Sequence, residues 1–212
     1  MSIGTAGAER PGAELRQEAP VPAAAEPAGW SEIAAWRRST RQALLQRRTQ
    51  MPAKERDARS ARIASALDRE IGRVAGRTIG VYWPIKGEPN LYPWIRKAVD
   101  AAATIALPVV IRKGWPLEFR RWRPGEALER GVWNIPVPAN GPAISPDLLI
   151  APLVGFDGER FRLGYGGGFY DRTIVAAAQQ PQVIGVGFDY CRLITIYPQP
   201  HDIRMDAIVT DA

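Results

Sequence analysis

The 212-residue sequence has one cysteine, Cys191, and one histidine, His201. A single cysteine excludes an internal disulfide framework and any multi-cysteine metal centre. A single histidine excludes histidine-cluster chemistry, and a lone loop histidine is more often solvated or hydrogen-bonded than a general base. No apolar run reaches about 18 residues, the length a membrane-spanning helix needs. No basic segment followed by an apolar one opens the chain, so no secretory leader is read there and the cytoplasm is the expected compartment. Large apolar residues are almost missing from residues 1–29, which are rich in Ala, Pro, Gly and Glu. Such a segment cannot bury enough surface to offset the entropy of ordering. A disordered extension is expected over 1–29, and one folded domain over 30–212.

What is present fits a globular domain. The sequence is 46% apolar and 24% charged, ordinary values for such a domain, and it is long enough for a full-sized core. The net charge is +6, and residues 1–30 hold four of the acids but only two of the bases. The rest of the chain is therefore more basic still, which suits an anionic partner. Nucleic acid, nucleotide phosphates and a polycarboxylate substrate all qualify, and charge alone does not choose among them.

Hydrophobic patterning predicts buried strands over 78–83, 104–110, 147–157, 183–188 and 207–210, and a half-exposed strand over 117–122. Helices are predicted from a Ser31 cap to Gln50, from Pro52 to Ile71, over 91–103 and over 170–176. Ile33, Trp36, Ala43 and Leu44 form the apolar stripe of the first helix, and Ala58, Ile63, Leu67 and Ile71 that of the second. Arg37 and Arg41, four apart, project from one helix face, which by itself reads as a solvated basic surface. Strands alternating with helices predict an α/β fold, a three-layer α/β/α sandwich on a mainly parallel sheet.

The densest motif is Arg162-Leu163-Gly164-Tyr165-Gly166-Gly167-Gly168-Phe169-Tyr170-Asp171-Arg172. Glycines allow positive φ and close backbone approach, and successive amide groups in such a loop form an anion-binding concavity. A helix follows, so its N-terminal N–H groups and macrodipole also favour phosphate. No Gly-Lys-Ser/Thr follows, so this is not a Walker A loop. No apolar strand runs directly into the glycines, so the dinucleotide-binding reading fails its context test. The competing reading is a flexible turn between strand and helix.

This motif resembles the signature of the 5-formyltetrahydrofolate cyclo-ligase family, and the resemblance extends from about Trp36 to Thr210. It implies ATP- and Mg²⁺-dependent cyclisation of 5-formyltetrahydrofolate to 5,10-methenyltetrahydrofolate, with ADP and phosphate released through a phosphorylated formyl intermediate. It implies that Arg37, Arg41 and the segment from Arg162 through Tyr170 (Leu163, Gly164, Tyr165, Gly166, Gly167, Gly168 and Phe169 between them) bind ATP, with Arg162 and Arg41 serving catalysis. Relatives commonly have lysine at the position of Arg37, which keeps the charge and changes the geometry. Trp83, Glu88, Trp133 of the Trp-Asn-Ile-Pro stretch, and Phe169 are implied to line the folate site. Asp171 and Asp202 are implied to hold magnesium, and Asp206 reads as structural. Small-molecule substrates, no membrane or nucleic-acid partner, and a monomer are expected. The alternative is a diverged, non-catalytic relative that binds nucleotide or RNA.

Overall fold

The computed structural model describes residues 29–212. The expected extension at 1–29 lies outside the described residues except for Gly29. The architecture is α/β, as the alternation of elements predicts. Six strands form the central sheet: β1 (Thr78–Gly80), β2 (Thr104–Val109), β3 (Glu118–Arg121), β6 (Leu148–Pro152), β9 (Gln182–Val186) and β10 (Ala207–Val209). Their order is β10-β9-β6-β1-β2-β3, parallel throughout except for β3, which runs antiparallel to β2 at the edge. Two small antiparallel pairs stand outside it: β4 (Leu128–Arg130) with β5 (Pro136–Pro138), and β7 (Gly155–Phe156) with β8 (Arg162–Leu163). The helices are α1 (Trp30–Gln50), α2 (Ala53–Ile71), α3 (Tyr92–Asp100) and α4 (Phe169–Ala176). No helix among the described residues is long and apolar enough to cross a membrane.

Side-chain alternation along each strand divides the core between two faces. Ile79, Ile105, Leu107, Leu148, Ile150, Ile184 and Val186 pack with Leu44, Ile63, Leu67, Trp94 and Ile95 of α1, α2 and α3. Ala106, Phe119, Leu149, Ala151 and Val183 turn the other way and meet Ile174 of α4. This is the expected three-layer arrangement, with one thin outer layer. Fully buried residues such as Ile63 and Leu67 each contribute on the order of 1.5–3 kcal/mol.

Several local expectations change. Helix α1 starts at Trp30 with Gly29 as its N-cap, and Ser31 makes no cap bond. The buried face of α1 is Arg37, Thr40, Leu44 and Arg48, while Ala43 is exposed. The arginines can be buried because distant backbone carbonyls accept from them, a feature invisible to apolar periodicity. In α2, Ala58 is exposed and Ser60 is buried instead, its hydroxyl donating to the Arg56 carbonyl and accepting from the Asn90 amide. The first strand ends at Gly80 rather than Trp83, and the 147–157 stretch divides into β6 and β7. Leu163, expected at the nucleotide, has its side chain in the main core.

The chain runs outward from β1 to β2 and β3, then returns to place β6 on the other side of β1. That reversal creates a topological switch point. In open α/β sheets, ligand sites lie beyond the carboxyl ends of the strands at this point. The loop after β1 carries Glu88, and the segment after β6 carries the glycine motif.

Candidate active site

The glycine segment leaves the β7–β8 hairpin and enters α4. Gly166 has φ +89° and Gly168, the N-cap of α4, has φ +63°. A side chain at either position would strain the backbone. Among the described residues, no protein acceptor takes the backbone N–H groups of Tyr165, Gly166, Gly167 or Gly168. Unclaimed donors continue into the first turn of a helix that has no side-chain cap. A run of unclaimed backbone donors beside positive-φ glycines is what an anion-binding concavity requires.

Arginines surround it. Arg41 Nε donates to the Gly164 carbonyl at 2.6 Å, and its guanidinium lies where a Cβ on Gly166 would be 3.4 Å away. Burial, then the charges of Arg37 and Arg38, lower the pKa of Arg41, so a bound anion would relieve local repulsion. Arg162 is paired with Asp171, Nη2 to Oδ2 at 2.8 Å, and its guanidinium lies 5.3 Å from the Tyr170 ring centroid. Its Nε is buried with no protein partner, as is the Tyr170 hydroxyl. Arg37 donates from Nε to the Ile196 carbonyl at 3.0 Å and pairs with Asp202, which also accepts from the Gln199 amide. The basic face of α1 is thus not solvated. It is docked onto the 196–202 loop and the glycine segment.

The two implied metal ligands are each held by an arginine. Asp171 also accepts from the Ile203 amide at 3.3 Å, so the aspartates sit on adjoining structure. Among the described residues, no group of three or more acidic, histidine or cysteine side chains is placed to hold a metal. Magnesium commonly uses one or two carboxylates plus substrate phosphates, and a carboxylate oxygen that accepts one hydrogen bond keeps a second lone pair. The two carboxylates are the number that such a magnesium site asks of a protein.

Glu88 is buried. Its Oε1 accepts from the Tyr165 hydroxyl at 2.7 Å and its Oε2 from the Ile85 amide at 2.8 Å. Burial raises its pKa against the opposing pull of Arg48 and these bonds. It forms part of the wall of a cleft of about 450 Å³ with Tyr82, Trp83, Tyr92, Arg56 and Asp57. Trp83 is half-buried, edge-on to Trp122 at 5.9 Å. Trp133 stands apart: it is 64% exposed, has φ +55°, and touches the Phe169 ring at 5.7 Å. The structure therefore joins Trp133 to the glycine loop rather than to the Glu88 cleft. His201 is exposed and meets Trp30. Asp206 accepts from the Val183 amide at 2.7 Å, a structural contact.

Arg48 escaped the sequence reading. It is 1% exposed and reaches Tyr165, Glu88 and two backbone carbonyls. Its signal is its place on the Arg37–Arg41 face, seven residues or about two turns beyond Arg41 along α1.

The 5-formyltetrahydrofolate cyclo-ligase family matches this sequence over residues 33–211. The chain is 33% identical over 181 residues to a 5-formyltetrahydrofolate cyclo-ligase of Mycolicibacterium smegmatis, covering 80% of this chain and 91% of that protein. It is 33% identical over 145 residues to the protein of that name from Escherichia coli, covering 65% and 79% respectively. Its fold is similar to that of a 5,10-methenyltetrahydrofolate synthetase from Mycoplasma pneumoniae, with a TM-score of 0.69 at 22% identity over 83% of this chain and 99% of that one. The Aquifex aeolicus 5,10-methenyltetrahydrofolate synthetase gives a TM-score of 0.71 at 26% identity over 82% and 89%. With the match running through every element of the sheet and the whole glycine segment, the chain belongs to the 5-formyltetrahydrofolate cyclo-ligase family.

Proposed function

We propose that this chain cyclises 5-formyltetrahydrofolate to 5,10-methenyltetrahydrofolate with ATP as co-substrate, releasing ADP and phosphate. The observation that carries this reading is the run of unclaimed N–H groups from Tyr165 to Gly168. It lies beside Arg41 and is joined through the Tyr165–Glu88 bond to an aromatic cleft. Unclaimed N–H groups and a cleft lined by aromatic rings, meeting in this way, suit a nucleotide and a pterin.

The chemistry asks little covalent work of the protein. A formamide oxygen leaves poorly. Transfer of the γ-phosphoryl group to that oxygen forms a new O–P bond as ADP departs. N10 of the same folate then attacks the activated carbon, loses its proton, and the C–O bond breaks with release of phosphate. Both nucleophiles belong to the substrate, in keeping with a chain holding one cysteine and one histidine. The protein's tasks are positioning and charge neutralisation. Arg162 and Arg41 would neutralise the moving phosphoryl group, and Arg37 with the glycine-segment amides would hold the rest of the ATP. Phe169 and Tyr170 would wall the junction of the two substrates. Glu88 would accept from pterin N–H groups, with Trp83 against the ring and Trp133 closing from the Phe169 side. Asp171 and Asp202 would hold magnesium, whose charge offsets that of the phosphates.

An ¹⁸O label in the formyl oxygen tests the reaction. The mechanism sends the label into released phosphate. Label retained in the folate or lost to water would overturn it.

A further inference from the structure

We propose that Arg48 is a positioning residue that clamps the two substrate loops together, setting the Glu88 carboxylate against the folate in register with the glycine segment. This rests on the cyclisation reading above.

Arg48 lies near the end of α1, and its contacts converge from four directions. Nε donates to the Lys86 carbonyl at 3.0 Å and Nη1 to the Leu153 carbonyl at 3.2 Å. Nη2 donates to the Tyr165 hydroxyl, and Glu88 Oε1 is 3.9 Å from Nη2. The Tyr165 hydroxyl in turn donates to Glu88 Oε1. One guanidinium thus holds the loop after β1, the end of β6 and the glycine segment at once. The loop also packs on the Arg48 backbone: a Cβ on Gly87, which has φ +75°, would be 2.9 Å from the Arg48 carbonyl oxygen.

A buried arginine could be a staple and nothing more. Its placement beside Glu88 makes it more than that. Glu88 is faced by Arg48 from α1, Lys86 from its own loop, Tyr165 from the glycine segment, Tyr82 after β1 and Tyr170 from α4, with Arg56 and Asp57 of α2 lining the cleft it borders. Burial pushes the Glu88 carboxyl up, and Arg48 is the strongest of the groups pulling it down. A pterin offers N–H donors, so the ionised acceptor is the useful one. Arg48 therefore sets both the place and the charge of Glu88.

The test compares the wild type with Arg48→Met, Arg48→Lys and Tyr165→Phe, following kcat/KM for 5-formyltetrahydrofolate against pH. Removing a cation at this range lets the carboxyl rise, so the acid limb of Arg48→Met moves to higher pH by about 1–3 units. Arg48→Lys returns the limb towards the wild type, because charge sets it. Tyr165→Phe raises the folate KM about tenfold or more, the loss of a hydrogen bond to a charged group. A folded Arg48→Met with wild-type limb and KM values overturns the inference. If Arg48→Met does not fold, a wild-type folate KM in a folded Tyr165→Phe overturns it. If the wild type itself does not cyclise folate, the functional reading fails. The clamp is then judged by ¹³C NMR titration of the Glu88 carboxyl: a higher midpoint in Arg48→Met supports it, and an unchanged one refutes it.

Discussion

Replacing Asp171 by asparagine separates its observed pairing with Arg162 from its proposed role as a magnesium ligand. The sequence suggests a helix-terminus residue that asparagine would replace at little cost, since it caps as well as aspartate. The structure alters that expectation. Asp171 makes no cap bond, and its Oδ2 instead accepts from Arg162 Nη2 at 2.8 Å, with the two side chains 16% and 6% exposed. Asparagine can still accept from the Ile203 amide but offers Arg162 a neutral oxygen or a donor. Loss of one such charge-assisted bond costs about 1.5–3 kcal/mol. For a chain of this size that lowers the thermal midpoint by roughly 3–12 °C, measurable by calorimetry without ATP or magnesium. The catalytic consequence is separate: turnover falls and the magnesium needed for half-maximal rate rises, because a hard cation loses an anionic ligand. An unchanged midpoint would refute the ion pair. A lowered midpoint with wild-type turnover at low magnesium would leave Asp171 as the partner of Arg162 alone.

Other variants probe neighbouring parts. Gly168→Ala places a Cβ at φ +63° and 2.8 Å from Arg172 Nη1, and a urea titration should show a loss of about 1–2 kcal/mol. Arg37→Lys keeps the charge but cannot reproduce the fork onto the Ile196 and Tyr197 carbonyls and Asp202, so the ATP KM should rise while the folate KM changes less. Burial raises the Asp211 carboxyl, but the Asp189 amide and Arg59 outweigh it and leave the pKa below the ordinary aspartate value. The stabilisation from Asp211 is therefore present above about pH 4 and lost as pH falls through the lowered pKa, so the stability gap between wild type and Asp211→Asn, read from urea titrations, should narrow on acidification. Burial pushes the Cys191 thiol up to about 12, so thiol reagents at pH 8 should label it only in denaturant.

Much of this was legible in the sequence because it depends on local pattern. The apolar runs fixed the parallel strands, and the glycine spacing located the positive-φ loop, since only glycine accepts the backbone angles of Gly166 and Gly168 comfortably. The partnerships of the charged residues were not legible. Arg37 meets Asp202 across 165 residues and Arg48 meets Tyr165 across 117, and no periodicity reports such distances. For the same reason the apolar stripe of α1 is only part of its inner face: Leu44 is buried and Trp36 packs on the core, with Arg37 and Arg48 buried beside them. Glu88 was placed correctly in the loop after β1, but its saturation by Tyr165 and the Ile85 amide depends on how two loops fold together. The local pattern around Trp133 says nothing of its exposure or of the positive φ at both Trp133 and Asn134.

The most direct test of the central claim mixes the purified chain with Mg·ATP and 5-formyltetrahydrofolate and follows the near-ultraviolet absorbance of the methenyl product together with ADP. The account predicts that product and ADP appear one for one, and that neither forms when ATP or the folate is left out. Nucleotide binding without folate-dependent ADP release would contradict it.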